Sequence, residues 1–251
     1  MKQPPRISLF LIAKNEEKKI AKCILSARPI VHEVIVVDSN STDRTAQICR
    51  ELGALVFNHK FNGFTEQKNF ALSKVSNEWA LSLDADETLT PQLAQEIKEA
   101  VQQEDADGYE LVRVNNFWGK RMHFSGVKKE PLVRLVRTQK ATFKGGLVHE
   151  QLTVNGKIRR LKNVFVHDSF SDIETYLNKL NHYTTLWAQT AFQKKKHCHI
   201  LLTVLRLPVD FTKRYIFQLG FLDGYRGFIW AVFSAFYTFV KYTKLWLLEI
   251  K

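Results

Sequence analysis

Four short polar clusters carry the residue types that do chemistry. Asn15-Glu16-Glu17, Asp38-Ser39-Asn40-Ser41-Thr42-Asp43 and Asp84-Ala85-Asp86-Glu87 each follow directly on an apolar run, and His149-Glu150 follows the glycine pair Gly145-Gly146. Two carboxylates flanking one small residue, as in Asp84-Ala85-Asp86, suit a hard divalent cation that neutralises the phosphate oxygens of a substrate. A solvated acidic turn explains such a triplet equally well when it stands alone. The imidazole of His149, with an ordinary pKa of about 6.5, and the carboxylate of Glu150 are both groups that move protons near neutrality. Their alternative is an exposed polar pair on a strand. His197-Cys198-His199 is no metal cluster, because adjacent residues in a helix or strand do not share a face and no companion ligand accompanies them.

The apolar runs before these clusters define the elements that must position them. Ile7–Ala13 and Glu33–Asp38 are continuous apolar runs of strand length, Ala54–Asn58 is a short third strand and Glu78–Leu83 a fourth. Helical spacing occupies the intervals: Glu16–Ala27, the stretch from Ala46 to a stop at Gly53, and Phe64–Val75 with Gln67-Lys68-Asn69 inside it. Thr90-Pro91 opens a further helix, with a capping hydroxyl and a proline at the first helical position. Alternation of this kind predicts an α/β fold, a parallel sheet with helices on both faces. Ligands of such sheets bind beyond the carboxyl ends of the strands, which is where the first three clusters stand.

After residue 107 the helices stop alternating. Gly108–Asn115, Pro131–Thr138 and Val164–His167 read as strands of an antiparallel or mixed extension, and Ser171–Glu174 is a capping box opening a long amphipathic helix to about Gln193. Lys194-Lys195-Lys196 and aromatic-rich helices complete the chain. In these helices rings alternate with Lys and Arg, as on a helix lying in a membrane interface; packing into a core is the other reading.

Composition narrows the class. With 251 residues, 45% of them hydrophobic and 12% aromatic, the chain is a globular protein and not a disordered or collagenous one. Three scattered cysteines fit a reduced compartment. The basic start and short apolar run at the amino terminus are interrupted by Asn15, Glu16 and Glu17, so a strand and not a signal peptide is expected. The uncharged stretch Gly227–Val240 is shorter than the ~20 residues that span a bilayer. The net charge of +12 is unevenly spread: residues 1–111 hold 13 basic and 17 acidic groups, residues 112–165 hold 13 and 2. An anionic partner is therefore expected at the second half only. Nucleic acid is not expected, since no recognition motif is present and the acidic first half would repel a phosphate backbone. Neither a G-x-G-x-x-G nor a P-loop occurs.

In order and spacing, strand-NEE, strand-DSNSTDRT, a helix with Gln67-Lys68-Asn69 and strand-DADE resemble the family 2 inverting glycosyltransferases of the GT-A fold. The run of motifs to the carboxyl terminus is similar to the lipopolysaccharide inner-core heptose β-1,4-glucosyltransferases of the WaaE/LgtF group. That resemblance implies a catalytic domain over residues 1–170, with a nucleotide-sugar half (1–107) and an acceptor half (108–170), and a helical membrane-interface extension over 171–251. It implies that Ala13, Asn15, Glu16, Asp38, Lys68, Asp84, Ala85 and Asp86 bind a UDP-sugar, with Asp38 on the uracil and Glu16 near the ribose. Asp84 and Asp86 would hold Mg²⁺ or Mn²⁺, with His167 either a further ligand or a hydrogen-bonded structural residue. Lys68 stands where relatives have an arginine; it is either a point charge for phosphate or a surface lysine. Glu150 would be the catalytic base, with His149 as the alternative base or as a residue that positions the acceptor. The implied reaction is transfer of a hexose, glucose from UDP-glucose with galactose the other reading, to a phosphorylated, lipid-linked core heptose; a polyprenyl phosphate or capsular glycan is the alternative acceptor. The implied location is the cytoplasmic, anionic face of a bacterial inner membrane, with no protein partner.

Overall fold

The computed structural model describes residues 4–145, 150–170 and 173–250. In chain order its elements are β1 (Ile7–Ala13), α1 (Ile20–Ala27), β2 (Glu33–Asp38), α2 (Thr45–Glu51), β3 (Leu55–Asn58), α3 (Phe64–Ser73), β4 (Trp79–Ser82), β5 (Glu87–Leu89) and α4 (Pro91–Gln102). There follow β6 (Gly108–Phe117), β7 (Lys120–Arg121), β8 (Glu130–Arg137), β9 (Ala141–Gly145), β10 (Glu150–Val154), β11 (Ile158–Phe170), α5 (Ile173–Gln193), α6 (Ile200–Thr212) and α7 (Tyr225–Glu249). Two compact units form, one from Met1–Val114 and Lys129–His167, the other from Asn115–Lys128 and Asp168–Lys251.

The main sheet has the order β3-β2-β1-β4-β8-β6-β11-β5. β1 to β4 are parallel, and β8 then pairs antiparallel with both β4 and β6. The predicted α/β architecture with an antiparallel extension is therefore present. Both faces of the first unit's sheet are covered, as strands apolar on both sides require. Leu9 and Leu11 of β1 pack with Ile20 and Ile24 of α1 and Leu93 and Ile97 of α4. Phe10, on the opposite face, packs with Ala71 and Leu72 of α3 and with Phe143 and Leu152 of a separate hairpin, β9-β10.

Local departures from the sequence reading have local causes. α1 starts at Ile20 and not at Glu16; before it Asn15 takes a left-handed φ of 56°, and the Glu16 and Glu17 amides donate to Thr45 Oγ1 and Asp43 Oδ2. The three-residue β5 and the β9-β10 hairpin were not predicted, being short and flanked by polar residues. β11 begins six residues before the predicted Val164, in a stretch whose exposed Arg159, Arg160 and Lys162 obscure the pattern. Thr90 caps α4 as expected, accepting from Leu93 N at 3.2 Å. Ser171 and Asp172 of the expected capping box lie outside the described residues.

In the second unit α7 packs against α5 and α6. Buried Thr184 and Ala188 on α5 and Ala231 and Ala235 on α7 are small residues, the kind that lets helix backbones approach. α6 contains Pro208 and runs on into a π-helical turn, Lys213–Phe217. Among the described residues no helix is long and apolar enough to cross a membrane.

Candidate active site

The loops after β1 and β2 lock onto each other. Asn15 N donates to Ser41 Oγ at 2.9 Å, and Asn15 Oδ1 accepts from Thr42 N at 2.9 Å. Asp38, buried at the end of β2, accepts from Ser41 N at 2.9 Å and from Ser41 Oγ at 2.5 Å. Arg44 N donates to Glu17 Oε2 at 3.1 Å. Ala13 is buried at the last position of β1, beside Asp38 in the parallel register. Asn15, Glu16 and Asp38 thus belong to one rigid rim at the carboxyl edge of the sheet.

Three consecutive residues of α3 do three jobs. Gln67, fully buried, donates to Ser39 Oγ at 2.9 Å and so ties the helix to the β2 loop. Asn69 exchanges two hydrogen bonds with the backbone of Phe143, pinning β9. Lys68 between them is buried and is not a surface lysine: its Nζ donates to Asp84 Oδ1 at 2.8 Å and to Glu150 Oε1 at 2.9 Å. One ammonium therefore joins the Asp84-Ala85-Asp86 turn to the first residue of β10, 82 positions away in sequence. His149 lies outside the described residues.

Asp84 is paired on both oxygens, since Arg134 Nη2 donates to its Oδ2 at 2.9 Å. The same guanidinium donates to Glu87 Oε1 at 2.6 Å, and Glu87 is completely buried. Burial opposes ionisation of Asp84, but the charges of Arg134 and Lys68 outweigh it and hold the carboxyl far below the usual range. At Glu87 burial prevails and the carboxyl is raised, with Arg134 pulling the other way. Asp86 stands apart from this cluster. Its Oδ2 lies 3.2 Å from His167 Nε2, and contact with that histidine overcomes burial to lower the carboxyl below its ordinary value. His167 reaches it from β11, which pairs there with Glu87 of β5.

A cavity of about 400 Å³ opens among Lys68, Asp84, Arg113, Arg134, Phe143 and Glu150. Arg113 and Arg134 line it, and their Nε atoms are buried without a hydrogen-bond partner among the described residues. A larger cleft of about 740 Å³ lies at the opposite end of β4, where Arg137 pairs with Glu78 and Lys140 with Asp107. Of the two, only the smaller is lined by residues expected from the sequence to act, namely Lys68, Asp84 and Glu150.

A divalent cation has a limited set of protein donors here. Among the described residues no three His, Cys, Asp or Glu side chains group as a cation site, and Asp84 already serves two protein cations. Asp86 and His167 remain as a close oxygen and nitrogen pair, which fits an ion that takes its other ligands from substrate phosphates and water. Arg134 and Arg113 were not singled out from the sequence, and Glu87 was read only as a member of the polar cluster after β4. The available signal was Arg134 itself, a charge amid Leu132, Val133, Leu135 and Val136 that must meet a carboxylate if the strand is buried.

Residues 8–148 match the glycosyl transferase family 2 model. The chain is 31% identical over 258 residues to an uncharacterized glycosyltransferase of Rickettsia typhi, covering 98% of this chain and 88% of that protein. It is 27% identical to the lipopolysaccharide core biosynthesis glycosyltransferase LpsC of Rhizobium meliloti, covering 96% of this chain and 92% of that one. Among solved structures, S. aureus TarS aligns with a TM-score of 0.48 at 18% identity, over 71% of this chain and 64% of that chain.

Proposed function

We propose, from the premise that the chain belongs to glycosyl transferase family 2, that it moves glucose from UDP-glucose, with inversion, onto the inner-core heptose of lipopolysaccharide. The observation that carries this reading is the Lys68 ammonium bridging Asp84 and Glu150, because it sets a donor-side carboxylate and a base on one cavity. The lipopolysaccharide core role named for the Rhizobium relative and the basic run 112–165 support a phosphorylated core acceptor.

In this reading Asn15, Glu16 and Asp38 on the interlocked rim bind the nucleoside, and Asp38 is oriented for the uracil by Ser41. Arg113 and Arg134 face the diphosphate. Asp86 and His167 hold Mg²⁺ or Mn²⁺, which when bound offsets charge on the departing diphosphate. Asp84 belongs to the cation-paired wall and acts by fixing Lys68 and Arg134. The acceptor hydroxyl gives its proton to Glu150 as its oxygen bonds to the anomeric carbon, and the bond from that carbon to the UDP oxygen breaks on the opposite side. The second unit exposes Leu201 (70%), Val209 (62%) and Phe217 (78%), with exposed Lys196, Arg206 and Lys213 close to them in sequence, a composition that suits a surface lying peripherally on an anionic membrane.

The test is in vitro transfer from UDP-glucose or UDP-galactose to heptose-terminated core oligosaccharide, with the product read by mass spectrometry and linkage analysis. Gain of one hexose on the heptose is expected, with UDP-glucose the better donor. Glu150→Gln should lower kcat by about 10²–10⁴-fold while UDP binding stays intact. Asp86→Ala should lose both transfer and metal-dependent UDP binding. Full activity in Glu150→Gln removes it as base; transfer to a polyprenyl phosphate but not to heptose replaces the acceptor.

A further inference from the structure

We propose that the helical unit holds a second binding site, a cage for a phosphate monoester carried on an amphiphile or a sugar, formed by Lys179, Arg214 and Lys241. This goes beyond the transfer reaction. A cavity of about 310 Å³ lies among α5, the π-helical turn after α6, and α7, and these three cations line it. The rings of Tyr176, Tyr183, Trp230 and Tyr237 complete the wall, and among the described residues no carboxylate lines it.

Two of the cations, Arg214 and Lys241, are half-buried and form no ion pair among the described residues. Arg214 Nη1 donates to the backbone oxygen of Ser125 at 3.1 Å, and its guanidinium lies 5.8 Å from the centre of the Trp230 ring. Lys241 Nζ stands 4.9, 5.6 and 5.3 Å from the ring centres of Trp187, Tyr237 and Tyr242. Asp210 is the acidic group whose charge reaches both, and it forms an ion pair with neither among the described residues. Burial accordingly lowers the pKa of each, the mark of cations held out of water without full compensation.

The chemistry of the wall selects the ligand. A phosphate monoester carries close to two negative charges near neutrality and three acceptor oxygens, which matches several cations including one guanidinium fork. A bare anion would engage the cations alone. The aliphatic start of an amphiphile, or the C–H face of a sugar, packs against Tyr and Trp. The two carriers share the phosphate monoester, and the experiment separates them.

Calorimetric titration of the full chain would use dihexanoyl phosphatidic acid and glucose 6-phosphate as probes, with inorganic phosphate and dihexanoyl phosphatidylcholine as references. At least one probe should bind about tenfold or more tightly than inorganic phosphate, and phosphatidylcholine should not bind. Preference for the lipid assigns an amphiphile, and preference for the sugar assigns a phosphorylated glycan. Arg214→Gln and Lys241→Gln should each weaken the preferred probe about tenfold or more, as loss of one charge-assisted contact does. Lys179→Gln, on another helix, carries the same test should either variant melt early. Equal binding of probes and inorganic phosphate, or wild-type affinity in variants that melt with the wild type, overturns the proposal. Asp86→Ala should bind these probes normally, so failure here leaves the transferase reading untouched.

Discussion

At the residue scale the site is a chain of compensated charges. Arg134 serves Asp84 and the fully buried Glu87 with one guanidinium, and Lys68 serves Asp84 and Glu150 with one ammonium. Removing one member of a buried set leaves its partners uncompensated, so Arg134→Met should destabilise the protein by about 3–5 kcal/mol, read from denaturant unfolding. Lys68→Met should in addition free Glu150; a variant that unfolds like the wild type and transfers sugar at full rate would show that the bridge does not position the base. The thiols give an independent check on the core. Burial, reinforced by Glu87, raises the Cys23 thiol well above its ordinary value and burial pushes Cys49 up to about 12, whereas Cys198 is partly exposed. At pH 8 an aromatic disulfide reagent should therefore label one thiol of three in the native chain and all three in denaturant.

At the element scale, short segments hold the site by hydrogen bonds that periodicity does not report. Asp43 opens α2: its Oδ1 accepts from Thr45 N at 2.9 Å, and its Oδ2 accepts from Glu17 N at 3.1 Å. Desolvation acts to raise this carboxyl, but the bonds from Thr45 and Glu17 hold it below the ordinary value. A depressed carboxylate stabilises the fold fully above the unfolded pKa of about 3.9, and that stability disappears as pH falls through the lower folded value. Asp43→Asn should thus melt below the wild type at pH 5, and the gap should shrink by pH 3; a constant gap would assign the effect to packing. At α4, Thr90 accepts from Leu93 N and donates to Val164 O at 2.8 Å, so Thr90→Ala should cost about 1–2 kcal/mol in thermal unfolding, more than a solvent-exposed cap.

At the scale of the whole molecule the two units differ in what they expose. The first holds the parallel sheet and the charged cavity, and the second carries exposed Leu201, Val209 and Phe217 with basic residues close to them in sequence. Each such side chain entering lipid is worth about 1.5–3 kcal/mol. The triple variant Leu201→Ser, Val209→Ser, Phe217→Ser should lose flotation with vesicles containing phosphatidylglycerol, while transfer to a water-soluble core oligosaccharide persists. Flotation equal to the wild type, or no flotation of the wild type, would overturn the proposed membrane role of this surface.

The sequence by itself determined the order of β1 to β4 and their helices, because apolar run length and helical spacing are local properties. It also determined the three polar clusters that end those strands. In the α3 triplet Gln67-Lys68-Asn69 it showed the residues but not their tasks. Only the tertiary structure decided that Lys68 is buried between Asp84 and Glu150, that Arg134 compensates two carboxylates, and that His167 meets Asp86 while Asp84 is occupied by cations. These pairings join residues 16 to 82 positions apart. Which charges meet in a site follows from strand order and register across the sheet, and residue spacing along the chain carries no record of either.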